Sequence, residues 1–245
     1  MLKDVAYIAA TAIEILLPII LAIIIWKKFK VSWAIFFLGM VLFLASLIRS
    51  PLNSYLGTLL QKSFQGEIFY TLYGLMAGLT AGIFEEGVRV LALGAAIKPR
   101  DYYKGIMYGI GHGGGGEAMI FVGLTTLANF IIFKFFSNIL PINILPQIQA
   151  TAWWLPLVGA TERVLAIAIQ IAFSVLIMYA FMSRKYSIIA VTIIFHAVVD
   201  FAAFYINYKF GMWYSELSVL IFAVIGIVII VLLKPKNYKH ALENP

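Results

Sequence analysis

The sequence predicts an all-α, polytopic transmembrane bundle, and three observations carry that prediction. Of 245 residues, 63% are hydrophobic and only 12% charged, against about 25% charged in soluble domains. Mean hydropathy is +0.98. The apolar residues fall in long runs, and about 20 helical residues suffice to cross a hydrocarbon core of ~30 Å. Closed barrels also satisfy the backbone in lipid, but their strands alternate polar with apolar residues, and these runs do not.

About seven spans follow, taken in order. Residues 5–26 form an uninterrupted apolar run with no small-residue cleavage pattern behind it, so the run reads as a first transmembrane helix rather than a removable signal. The second covers 31–48 and stops at Arg49; the polar and aromatic stretch 51–66 suits an interface. Spans at 68–97, 105–133 and 154–182 exceed one crossing, which predicts tilt or kinks. The fourth is long enough to hide a re-entrant segment, which would make eight. Residues 137–149 read as a second interfacial stretch, and 188–206 and 217–233 complete the set. Trp26, Trp33, Trp153, Trp154 and Trp213 sit at span ends as interfacial anchors. The chain is read as a single transmembrane domain over 1–245, with the third to sixth helices, about 67–207, as its core.

Charge placement sets an expected orientation. One set of alternate loops holds Lys27, Lys28, Lys30, Lys98, Arg100, Lys104, Arg184, Lys185, Lys234, Lys236 and Lys239, eleven in all; the other holds Lys3, Arg49, Lys62, Lys134 and Lys209, five in all. The excess belongs in the cytoplasm, giving N-out and C-in in a prokaryotic cell membrane. Because these cations occupy short loops, the net charge of +7 marks topology and lipid headgroups, not a nucleic-acid partner. Cysteine is absent, which excludes a thiol nucleophile, a thiolate ligand and a disulfide framework.

Against this apolar background, the ionisable residues inside spans stand out, since each charge at mid-bilayer costs roughly 3 kcal/mol on insertion scales. At about 1.5 Å per helical residue, Glu86, His112 and His196 lie about 18, 12 and 16 Å from the basic face, with Glu117 and Asp200 slightly deeper at about 20 and 22 Å. Glu162 and Arg163 fall in the opposite half and read as a structural pair; Glu14 in the first span reads as lining a polar seam. Arg89 is three residues from Glu86 and four from Glu85, so it can sit beside either carboxylate, and His196 and Asp200 share a face at four-residue spacing. Asp200 then suits a partner that fixes the His196 tautomer. Gly113, Gly114, Gly115 and Gly116 weaken any α-helix by about 1 kcal/mol each relative to alanine. Such a run survives in lipid where another helix packs on it or where it lines a wet cavity, and backbone amides freed beside His112 and Glu117 would suit a developing oxyanion.

These residues resemble a known family. Glu85-Glu86 with Arg89, Tyr108 to His112, and His196 to Asp200 look like the three signatures of the CAAX-protease and bacteriocin-processing (CPBP) intramembrane endopeptidases. Gly111-His112, the glycine run, Glu117-Ala118 and Glu162-Arg163 look closer still to the YhfC family of intramembrane metalloproteases, a relative of that group and of PrsW. The likeness spans about residues 84–201. It implies an intramembrane protease in which Glu86, or its neighbour Glu85, activates water, with His112, His196 and Asp200 around it. Three departures stand out: two residues rather than three separate the Glu pair from Arg89, Asp200 replaces a common Asn, and Gln170 stands about where these proteins carry a fifth-helix histidine.

The chemistry also follows from residue types. Hydrolysis of a peptide bond needs water, a base and electrophilic help at the carbonyl. The expected catalytic set is Glu85, Glu86, Arg89, His112, Glu117, His196 and Asp200. His112, His196, Glu86 and Asp200 would also make a zinc site with an open position, or the two histidines would donate to the oxyanion without metal. The expected substrate is a membrane-embedded or lipidated protein, reached from the cytoplasmic half. Two other classes use buried charges: a proton- or ion-coupled transporter, and a non-catalytic membrane immunity or chaperone factor.

Overall fold

The computed structural model describes residues 1–136 and 151–235, and among them every regular element is helical. Helix α1 (Leu2–Phe29) ends where Lys30 turns left-handed, and Ser32 caps α2 (Trp33–Ser46) by accepting from the Ala34 amide. A turn at Leu47 and Ile48 leads into α3 (Arg49–Ser63). Helix α4 (Gly66–Leu91) runs on into a π-helical turn, Ala92–Ala96. Asp101 caps α5 (Tyr102–Gly109) through the amides of Tyr103 and Lys104. A long π-helical segment, Ile110–Gly123, joins α5 to α6 (Leu124–Phe135). Then come α7 (Leu155–Ser183), α8 (Ser187–Phe210) and α9 (Met212–Leu232), the last two separated by Gly211 at φ 91°.

Seven helical runs among the described residues are long and apolar enough to cross a membrane. The protein is a polytopic, all-α membrane protein. The fourth run is continuous from Tyr102 to Phe135, so it conceals no re-entrant loop. The second extends from Trp33 to Ser63 with a turn in the middle, longer than the sequence suggested; the stretch expected at an interface is helix α3, which buries Asn53 and Gly57. The other expected interfacial stretch lies outside the described residues. Large apolar side chains are exposed along every span, as lipid contact requires.

Helices α4 and α8 make the principal pairing that positions the site. Gly74, Gly78 and Gly82 recur every fourth residue along α4. A Cβ on Gly78 would stand 2.5 Å from the Ala197 carbonyl oxygen, and one on Gly82 would stand 2.5 Å from that of Ile193. Small residues at this spacing let two membrane helices approach backbone to backbone. Glu86 is the next residue on that stripe, which brings it against His196.

The π-helical segment is wrapped by α1, α2 and α7. A Cβ on Gly113 would meet Gln170, one on Gly114 would meet Pro18, and one on Gly116 would meet Phe43, all at 2.8 Å or less. The glycine run is therefore a packing device. Its amides belong to a helical hydrogen-bond ladder, so the expectation that they are freed to bind an oxyanion is not met.

Candidate active site

Five helical runs bring buried and half-buried polar residues together. The first residue of α3 is Arg49, α4 delivers Glu85, Glu86 and Arg89, and the π-helical segment delivers His112 and Glu117. Helix α7 contributes Glu162, Arg163 and Gln170, and α8 contributes His196 and Asp200.

The two adjacent glutamates have different surroundings. Glu86 is wholly buried; its Oε1 accepts from Arg89, itself wholly buried, and faces His196 Nδ1 at 2.8 Å. This settles the partner of Arg89 within α4: the three-residue spacing holds. Glu85 faces a cavity of about 440 Å³. Its Oε1 accepts from Arg49 at 2.9 Å, while its Oε2 accepts from Gln170 at 3.2 Å and lies 3.4 Å from His112 Nε2.

The same cavity is walled by Arg49, Glu117, Glu162, Arg163, His196 and Asp200. Arg163 donates to both Glu117 and Glu162, so the pair placed in the opposite half by helix depth reaches the site through its long side chain. Gln170 ties the network across the bundle: its Oε1 accepts from Arg89, and its Nε2 donates to Glu85 and, at 3.3 Å, to Glu117. His112 stacks near Tyr108 and meets the edge of Phe43, while Phe173 stacks on His196. These rings fix both imidazoles.

Two expectations need correction. Asp200 Oδ2 lies 3.8 Å from His196 Nε2, beyond a hydrogen bond, so the group that orients His196 is Glu86 on the opposite ring nitrogen. The proposed zinc set of His112, His196, Glu86 and Asp200 is likewise not assembled. Among the described residues, no three His, Cys, Asp or Glu side chains are grouped to hold one ion. The reason is geometric: Glu86 sits on Nδ1 of His196, whereas Asp200 and Glu85 face Nε2, the latter at 3.9 Å. The donors present do not fit a shared metal in this arrangement.

Sequence reasoning missed Arg49 as a site residue, having counted it as a loop charge, and gave Gln170 no role. Part of the signal for Arg49 was available: it closes an apolar run at about 28 Å from the basic face, only ~6 Å beyond Asp200, within reach of a long side chain turned inward. Glu14 is buried beside Gly123, with Oε2 unpartnered in the described structure.

These features define a class: a helical membrane protein that keeps a half-open, carboxylate- and imidazole-lined cavity between its helices. The chain belongs to the YhfC intramembrane metalloprotease family, whose family model matches residues 13–225. It is 31% identical over 216 residues to "Uncharacterized membrane protein YhfC" of Bacillus subtilis (strain 168), covering 78% of this chain and 80% of that protein. No solved structure matches.

Proposed function

We propose that this protein is an intramembrane endopeptidase that hydrolyses a peptide bond in a membrane-embedded or lipidated protein, with membrane lipids as its surroundings. The observation that carries the reading is the cavity of about 440 Å³ walled by Glu85, His196, Asp200 and Arg49. At ~30 Å³ per water molecule, it has room for water beside a length of peptide backbone.

Glu85 is the better base of the two glutamates, because it reaches the cavity while Glu86 is enclosed by Arg89 and His196. In this scheme Glu85 removes a proton from water as the water oxygen attacks the carbonyl carbon. Arg49 supplies the positive charge nearest the developing oxyanion. As the carbon–nitrogen bond breaks, Glu85 gives the proton it took from water to the leaving nitrogen, while His196 Nε2, left bare because Glu86 accepts from Nδ1–H, serves as an acceptor that orients the attacking water. Glu86 holds the opposite ring nitrogen and sets the tautomer, as a carboxylate does for histidine in many hydrolytic sites. The family's name implies a metal, but Glu86 and Asp200 lie at opposite nitrogens of His196 and do not converge on one ion.

The test is cleavage of a fluorogenic library of single-span peptides by purified protein in liposomes. Wild type should release fluorescence, and Glu85→Gln should reduce the rate by about 10²-fold or more. Retention of full rate by Glu85→Gln overturns the assignment. Ion flux through wild-type liposomes with no cleavage at all would favour a carrier, and neither activity would favour a non-catalytic immunity or chaperone role.

A further inference from the structure

A buried hydrolytic site needs a way for water to reach it. Beyond the central cavity lies a second chamber of about 350 Å³, between the start of α7, the end of α8 and the start of α9. The two share Gly159 and Glu162 in their walls. The second chamber continues past Asn207, Ser215 and Glu216. Its lining mixes these polar groups with Leu155, Val158, Ala203 and Met212, whereas the lipid-facing stretches of the same helices are apolar. Gly159 lies four residues after Leu155, about 6 Å along α7 from its first residue. Asn207 stands three residues from the end of α8 and is exposed. The chamber is therefore near the end of the bundle where α1 begins. That end is fixed by the Lys134–Asp4 ion pair at 2.7 Å, which joins the last turn of α6 to the first of α1, and by the bond from Lys3 to the Thr151 carbonyl just before α7.

We infer that this second chamber is a hydrated vestibule that supplies water to the central cavity from the end of the bundle where α1 begins, with Glu162 as the partition between them. Glu162 is suited to that place because Arg163, which holds it, also holds Glu117 on the cavity side. A shift of one ion pair would open the wall without exposing a bare charge to lipid. The inference rests on the endopeptidase reading for its purpose, but its geometry is testable without it.

Gly159 makes the test direct. A Cβ there would meet nothing within 4 Å, and the chain contains no cysteine. In the otherwise unchanged full chain, Gly159→Cys and, as a second probe, Glu216→Cys are exposed to a membrane-impermeant trimethylammonium methanethiosulfonate, in intact cells and in inverted vesicles. Val224→Cys on the exposed face of α9 is the control. Both probes should react at least 10-fold faster than the control from one side of the membrane. Reaction in intact cells places the vestibule outside, as the loop charges predict; reaction only in inverted vesicles reverses the orientation and keeps the vestibule. The Gly159→Cys adduct should cut peptide cleavage at least 10-fold, with recovery on reduction. No faster reaction from either side overturns the vestibule, and so does an adduct that leaves cleavage unchanged. If the unlabelled protein never cleaves, the labelling rates still decide hydration, and the failure belongs to the endopeptidase reading alone.

Discussion

At the scale of single residues, adjacent glutamates divide two jobs because helix geometry points them to different neighbours. Glu86 falls on the α4 face pressed against α8 and is sealed between Arg89 and His196; Glu85, one residue earlier, turns to the cavity and Arg49. The sequence carried the pair and its arginine but not the division, since spacings of three and four are both neighbours on a helix. Arg49 was obscure for a related reason: only the turn at Leu47 and Ile48 brings a residue near a span end back over Glu85. If Arg49 stabilises the oxyanion, Arg49→Gln should lower kcat on the peptide library by about 10²-fold. Arg49→Lys, which retains the charge, should lose about 10-fold or less, because a lysine replaces the planar fork with a single charged group. Melting temperatures of both variants in detergent check that the difference is catalytic.

Elements raise a different question, that of how closely helices can approach. All the spans were legible from apolar length, but pairing was not, and the glycine run drew attention as a chemical feature. In the structure both sets of glycines serve proximity. The stripe Gly74, Gly78 and Gly82 sets α4 on α8, and the run after His112 lets α1, α2 and α7 converge on one segment. The stripe's four-residue period was readable in the sequence as a close-packing motif, and it points directly at Glu86. Gly78→Ala sets a methyl group 2.5 Å from a backbone oxygen that cannot swing away. It should lower unfolding free energy by about 1–3 kcal/mol and separate Glu86 from His196, with loss of cleavage. Gly87→Ala, where a Cβ meets nothing within 4 Å, should instead stabilise the helix by about 0.5–1 kcal/mol. Chemical denaturation in mixed micelles compares the two. The π-helical segment has no counterpart in the reading of spans, because apolar periodicity reports a helix without reporting its pitch.

For the molecule as a whole, the shared depth of Glu86, His112 and His196 was the part of the site most visible in sequence. Depth along a helix axis ignores side-chain reach, which is why Arg163 and Glu162 were assigned to another layer although Arg163 extends to Glu117. The resulting network links five of the seven spans, so its charges are structural before they are chemical. Arg89 and Glu86 are its most enclosed pair, both 0% exposed. Removing either alone strands a buried charge, so Arg89→Met and Glu86→Leu should each cost about 3–5 kcal/mol of stability. Combining them removes both charges, and the double variant should cost well below the sum of the two single changes; what it still loses, about 1–3 kcal/mol for each group, is the partner of Gln170 Oε1 and of His196 Nδ1. Cleavage should not return with stability, because His196 Nδ1 has then lost the acceptor that fixes its tautomer. A double-mutant cycle read by unfolding, with peptide cleavage measured on the same four proteins, separates these outcomes. Recovery of both properties together would mean that Glu86 holds the helices in place and does nothing for the imidazole.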